Sequence, residues 1–170
     1  MEYFDWVDRS DRVMGVTTRQ DAHQKRLYHR AVHLYCRGNS NGLILQKRSH
    51  AKDVEPGLWT VGCSGHVDRG ESYEQAAVRE LQEELNVTIE LSQLTELLRS
   101  DPSHENGYEF VCSFEIQVPI QAVLNPKEIL ELRELSLLEV EKWIFQEPEN
   151  FSCSFRHLFP LVKKRLQQIT

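Results

Sequence analysis

The segment running Gly65-His-Val-Asp-Arg-Gly-Glu71-Ser-Tyr-Glu-Gln-Ala-Ala-Val-Arg79-Glu80-Leu-Gln-Glu83-Glu84-Leu-Asn86-Val87 constrains this chain more than any other. Gly65 and Gly70 bound a loop whose backbone can approach a neighbour closely. Ser72-Tyr-Glu-Gln75 fits a capping box, which predicts a helix beginning there. Ala77, Leu81 and Leu85 then recur every four residues as one apolar stripe. On such a helix Glu83 lies about 60° to one side of Glu80, and Glu84 about 40° to the other. The three carboxylates therefore share one arc of roughly 100°.

Three carboxylates on adjacent turns repel one another, and a helix gains nothing from them alone. A solvated acidic face is the commonest origin of a Glu-rich helix, because charged residues are mostly exposed. A hard divalent cation gives a different reason for the pattern, since Mg²⁺ and Mn²⁺ prefer oxygen ligands. Arg79 stands one turn from Glu83 and can orient a carboxylate.

The rest of the chain fits a single domain over residues 1–170. Its length allows a real core, and 40% hydrophobic with 27% charged residues is an ordinary globular balance. The net charge of -6 argues against a nucleic-acid backbone as partner. No apolar run is long enough for a membrane span. The acidic start, Met1-Glu-Tyr-Phe-Asp-Trp-Val-Asp, lacks the marks of a secretory signal. Cys36, Cys63, Cys112 and Cys153 form no CxxC pair. Three of them read as small buried residues in a reducing compartment, which predicts a cytoplasmic protein, and Cys63 is the exception.

Residues 3–17 read as two strands about a turn at Ser10-Asp11. Residues 30–36 and 42–47 flank Gly38-Asn-Ser-Asn41 in the manner of a hairpin. Trp59 to Cys63 reads as one short strand, and 108–118 as another that Pro119 ends. Ser136-Leu-Leu-Glu139 is a second capping box. A terminal helix is expected from about Ser154 to Gln168, with Pro160 kinking it or marking its start. A mixed sheet covered by helices is the economical architecture.

The spacing G-x5-E-x7-R-E-U-x-E-E-x-G-U from Gly65 to Val87 resembles the signature segment of the Nudix hydrolases. One fixed position differs: Asn86 replaces the last Gly. Asn is the next most tolerant residue for a left-handed helix cap. The resemblance implies an α/β fold, a Nudix-type α/β/α sandwich with a mixed β-sheet. It implies Mg²⁺ or Mn²⁺ held by Glu80, Glu83 and Glu84 with help from Gly65, Arg79 in support, and water attack on a diphosphate. The catalytic base varies across that family; a segment glutamate such as Glu83 is one candidate, and Glu105 or Glu109 another. The substrate implied is a small nucleotide or prenyl diphosphate, and the assembly a monomer or homodimer.

The flanks narrow the resemblance. Leu27-Tyr-His29-Arg30-Ala-Val-His33, Gln46-Lys-Arg48-Ser-His-Ala-Lys52 and Pro56-Gly-Leu-Trp59 are similar to the branch of isopentenyl diphosphate isomerases and their hydrolase-like relatives. In that branch the residues matching Arg48 and Lys52 hold a diphosphate. His23, His29, His66 and Glu109 fall near a second metal site of the isomerases. His33, His50, His104 and His157 read as structural or surface residues.

Three departures favour a hydrolase over an isomerase. Ser64 stands where the isomerase has its catalytic Cys, and Cys63, one place earlier, belongs on the opposite face of a strand. Glu80 stands where isomerases carry Arg. Gly107 stands at their other metal-site glutamate. A non-catalytic sensor of diphosphates would show an eroded carboxylate set, and this one is intact. Trp6, Tyr28, Tyr35, Trp59, Tyr73, Tyr108 and Phe110 are candidates for stacking on a base, with core packing the commoner role for each.

Overall fold

The computed structural model describes residues 2–116 and 121–168. The chain opens with β1 (Tyr3–Val7) and β2 (Val13–Thr18), an antiparallel hairpin, followed by the short helix α1 (Arg19–Lys25). Strands β3 (His29–Cys36) and β4 (Leu43–Arg48) come next, then β5 (Trp59–Val61) and β6 (Cys63–His66). Helix α2 (Tyr73–Leu85) follows, then β7 (Leu94–Ser100), β8 (Glu109–Ile116) and β9 (Ile129–Leu135). Two helices, α3 (Leu137–Gln146) and α4 (Cys153–Leu166), close the chain.

The central strands form two sheets. One has the order β6-β3-β8-β7, with β3 and β8 parallel and the other pairs antiparallel. The other has the order β5-β4-β9 and is antiparallel throughout. Strand alternation sends successive side chains of β3 to opposite faces. Val32, Leu34 and Cys36 join Ala76, Ala77, Leu81 and Leu85 of α2 in one core. Tyr35 joins Leu43, Leu45, Phe155 and Phe159 in a second core beneath α4 and α3. Helices thus cover both faces of mixed β-structure, as the α/β/α expectation requires.

Several local expectations hold in detail. Ser72 and Gln75 make both hydrogen bonds of the capping box, and so do Ser136 and Glu139. Asn86 caps α2 in the left-handed region at φ 53°, taking the role a glycine would fill.

Three expectations need correction. Strands β3 and β4 are not a hairpin. Both edges of β3 are occupied, by β6 and β8, so after a single bridge between Arg37 and Leu43 the chain leaves for the other sheet. The Glu134 carboxylate of β9 accepts from the Ser40 and Gly42 amides and ties the turn to that sheet. The stretch Trp59 to Cys63 is likewise two strands in two sheets. It breaks at Gly62, where a Cβ would lie 2.7 Å from the Ile44 carbonyl oxygen. Helix α4 begins at Cys153 and runs through Pro160. Ser152 caps it, and Pro160 sits on the exposed side, where the carbonyl it leaves without an N–H can meet water. The described part of the 108–118 strand is β8, and Pro119 lies outside the described residues. Among the described residues no helix is long and apolar enough to cross a membrane.

Candidate active site

Helix α2 presents Glu80, Glu83 and Glu84 to a cavity of about 810 Å³, which Gly65, Arg79, Arg48, Lys52 and Glu109 also line. Glu80, Glu83, Glu84, Gly65, Arg79, Arg48, Lys52, Glu105 and Glu109 therefore meet at one place. Arg79 is the hub. Its guanidinium donates to Glu71 at 2.9 Å, to Glu80 at 2.7 Å, to Glu83 at 3.3 Å and to the His66 carbonyl at 2.9 Å. Glu71 also accepts from the Asp68 amide, so one ion pair closes the loop onto the helix. This fork geometry is what Arg offers and Lys does not. Gly65 has no side chain because the Glu80 carboxylate occupies the position a Cβ would take.

The three carboxylates differ in environment. The Glu83 side chain is 58% exposed. Burial, reinforced by the neighbouring Glu84 charge, pushes Glu80 up to about 8. Glu84 is buried, and burial raises its carboxyl above the usual range against the opposing pull of Lys52. It accepts from Gln46 at 2.8 Å and from the Ser64 amide at 3.3 Å, with the Lys52 ammonium at 3.7 Å. Lys52 also pairs with Glu128. Asn125 donates to the Glu83 and Glu84 carbonyls and holds the end of α2. Like charges crowded in this way favour neutralisation, and a divalent cation among oxygen ligands provides it.

Beside this face lies a second group of donors. One ligand atom each from His23, His29, His66 and Glu109 fall within 4.8 Å of one another. Glu109 is on a strand, but its side chain turns inward and is 14% exposed. His29 places Nδ1 2.8 Å from the Leu27 carbonyl, so Nδ1 carries a proton and Nε2 is the atom turned to the cluster. That Nε2 is buried without a hydrogen-bond partner and faces the Glu109 carboxylate at 3.4 Å. Burial lowers His29, but the adjacent Glu109 carboxylate outweighs it and raises the ring overall. Burial would raise Glu109; His29 and His66 hold it well below the usual carboxylate range. Burial and the two neighbouring imidazoles push His23 down to about 4. Three imidazoles and an inward-turned carboxylate at this spacing fit a divalent ion.

Sequence reasoning missed several residues. Arg19 of α1 lines the cavity, pairs with Asp53 at 2.8 Å and donates to His66 Nδ1 at 3.2 Å. Gln46 and Asn125 reach the glutamates, and Glu128 reaches Lys52, only through strand pairing and loop closure, and no local pattern announces them. Two histidines assigned to structural or surface roles, His33 and His104, line the cavity. None of the seven candidate stacking aromatics does so among the described residues. Ser64 lines the cavity, while Cys63 is fully buried in the core beneath α2, as opposite strand faces require.

Burial, only partly offset by the Glu109 charge, pushes His33 down to about 4. The unfolded chain takes up a proton near pH 6.5, which the native ring refuses until about pH 4. Stability therefore falls as the pH drops through that window, by up to about 3 kcal/mol from this residue. Urea denaturation at pH 7 and pH 4.5 should show a smaller acid loss for His33→Gln than for the unsubstituted chain. Equal losses would contradict the assignment.

Comparison with known proteins agrees with this geometry. The model of the NUDIX domain family matches residues 27–155. An isopentenyl-diphosphate Delta-isomerase 2 of Photorhabdus laumondii is 30% identical over 154 residues, covering 89% of this chain and 87% of that one. A Nudix hydrolase of Deinococcus radiodurans is 31% identical over 128 residues, 75% of each chain. The crystal structure of DR0079 from Deinococcus radiodurans superposes with a TM-score of 0.76 at 27% identity, covering 96% of this chain and 99% of that one. With the family model matching most of its length and relatives at 30% identity and above covered over three quarters or more, the chain belongs to the Nudix family.

Proposed function

We propose that the protein is a divalent-metal-dependent hydrolase that cleaves a phosphoanhydride bond. Its substrate is a nucleoside diphosphate linked to another group, or a related diphosphate. The observation that carries this reading is the convergence of Glu80, Glu83, Glu84 and Gly65 on one cavity, with Arg48 and Lys52 on its wall. Glu80, Glu83, Glu84 and the Gly65 backbone would hold Mg²⁺ or Mn²⁺. When bound, the metal neutralises phosphate oxygens and makes water a better nucleophile. Arg48 and Lys52 bind and orient the diphosphate, Arg as a fork and Lys as a point charge. Arg79 keeps Glu80 and Glu83 in place. Glu83, the most accessible of the three, accepts the proton of the attacking water, with Glu109 the alternative base from a later strand.

The test is a hydrolysis screen with Mg²⁺ and with Mn²⁺. Its panel holds nucleoside triphosphates, nucleotide sugars, dinucleotides and isopentenyl diphosphate, with products separated by chromatography. EDTA should abolish turnover, and added Mg²⁺ or Mn²⁺ should restore it. Turnover indifferent to EDTA would sink the metal-dependent reading.

The cluster of His23, His29, His66 and Glu109 favours a second reading, an isomerase-like activity on isopentenyl diphosphate, because a second ion there is what that resemblance implies. Against it, Cys63 lies in the core, and burial raises its thiol well above the ordinary range. Dimethylallyl diphosphate among the products of the prenyl arm would favour the isomerase.

A further inference from the structure

A polar row crosses the four-stranded sheet on its α4 face. His33 of β3 is in register with Ser64 of β6 on one side and with Ser113 of β8 on the other. Cross-strand partners direct their side chains to the same face. Above the row, Ser154 in the first turn of α4 places Oγ 3.4 Å from His33 Nε2. That is long for a bond between a hydroxyl and a ring nitrogen, so both groups keep hydrogen-bonding capacity.

Beside the row on that face pack Ala31, Val111, Leu158 and the α4 phenylalanines. Three polar residues in such a layer need a reason. His33 is 5% exposed and Ser113 fully buried, and His33 Nδ1 and Ser113 Oγ have no hydrogen-bond partner. Ser64, Ser154 and the His33 ring line the cavity. The row also lies next to the glutamate face, because the Ser64 amide donates to Glu84. Arg48 and Lys52 line the same cavity as the row, so a diphosphate on those cations has its attached group within the same enclosure.

We propose that Ser64, His33 and Ser154 form a hydrogen-bonding subsite for a hydroxyl-bearing group attached to the diphosphate, so that the site takes a sugar-linked diphosphate and rejects a hydrocarbon-linked one. The inference rests on the hydrolase reading above and names the substrate class of the same site. A hydroxyl donates and accepts at once, as the two serines and a neutral imidazole do, so the match is adaptable. A prenyl chain would desolvate these groups and return nothing, which is how polar sites reject apolar analogues. The apolar side chains on the cavity wall are small, Ala31, Val32, Val54 and Cys153, and none is long enough to sheathe such a chain. Among the described residues it also contains no Phe, Tyr or Trp on which a base could stack, which places recognition on the sugar.

The test is equilibrium calorimetry on the full chain in EDTA, where binding is separate from turnover. The probes are ADP-ribose and isopentenyl diphosphate. ADP-ribose should bind at least about tenfold more tightly. In Ser64→Ala/Ser154→Ala the ratio of the two dissociation constants should fall to about threefold or less. Thermal unfolding of the variant reports whether it folds. A merely structural role would weaken both probes together and preserve the ratio, which would overturn the proposal. Recognition through adenine would also preserve the ratio and would overturn it equally. So would equal or tighter binding of isopentenyl diphosphate, or no binding of ADP-ribose at millimolar concentration. Intact discrimination in calorimetry with no turnover in the screen would instead count against the hydrolase and leave the subsite standing.

Discussion

Glu84→Gln should lower kcat by about a thousandfold, well beyond the roughly 10- to 100-fold that loss of an outer-sphere partner costs. The substitution keeps the volume and one carbonyl oxygen, so the bonds from Gln46 and Ser64 can persist, and Lys52 retains Glu128. Only the charge is lost. The metal-free variant should therefore be as stable as the parent or more so, because a buried carboxylate is costly without its cation. The sign with pH follows from linkage. Burial raises the native Glu84 carboxyl above its unfolded value. Its contribution to the parent's stability is fully present below that unfolded value and is lost as the pH rises through the native one. Glutamine does not titrate, so the stability difference in favour of the variant should grow from pH 5 to pH 8. Steady-state kinetics in Mg²⁺ and denaturant titrations in EDTA measure the two effects. A variant with near-parental kcat would remove Glu84 from the metal set.

Gly65→Ala should cost at least about a hundredfold in kcat while the chain still folds. A methyl group at this position meets the Glu80 carboxylate head-on. That carboxylate is the far end of a flexible side chain, so the loss of stability should stay near 1 kcal/mol, at the low end for overpacking. Glu80 cannot keep its place, however, and leaving it breaks the 2.7 Å bond to Arg79. Misplacing one group in such a constellation by about an ångström can cost a hundredfold in rate. A double-mutant cycle with Glu80→Ala separates the causes. If Gly65→Ala acts by displacing Glu80, it should add little in the Glu80→Ala background. Full additivity of the two losses would mean that Gly65 matters for another reason, such as its backbone conformation.

The Gly65–Val87 segment could be read because each of its signals is local. The cap at Ser72, the apolar stripe on Leu81 and Leu85 and the left-handed cap at Asn86 depend on neighbours within a few positions. So does the common arc of Glu80, Glu83 and Glu84. The same locality misleads elsewhere. Turn residues at 38–41 predict a turn, and there is one, but they do not say which strand lies beside β3. That depends on β6 and β8, which occupy both its edges. The break at Gly62 is equally invisible, because it arises from the Ile44 carbonyl of a separate strand. Strands β7 and β9 and the short helix α1 carry no strong periodic signal, and Arg19 goes unnoticed with α1.

By itself, then, the amino-acid order determined the helix that bears the carboxylates, its two ends and the oxygen-rich face it presents, since backbone geometry fixes angles between residues close in the chain. Only the tertiary structure decided how those carboxylates differ. It buried Glu84 against Gln46 and Lys52 and left Glu83 in solvent. It turned Glu109 toward three histidines and set the buried His33 at the wall of the cavity. Charge, burial and hydrogen bonding are sums over neighbours in space, and most of those neighbours are distant in sequence.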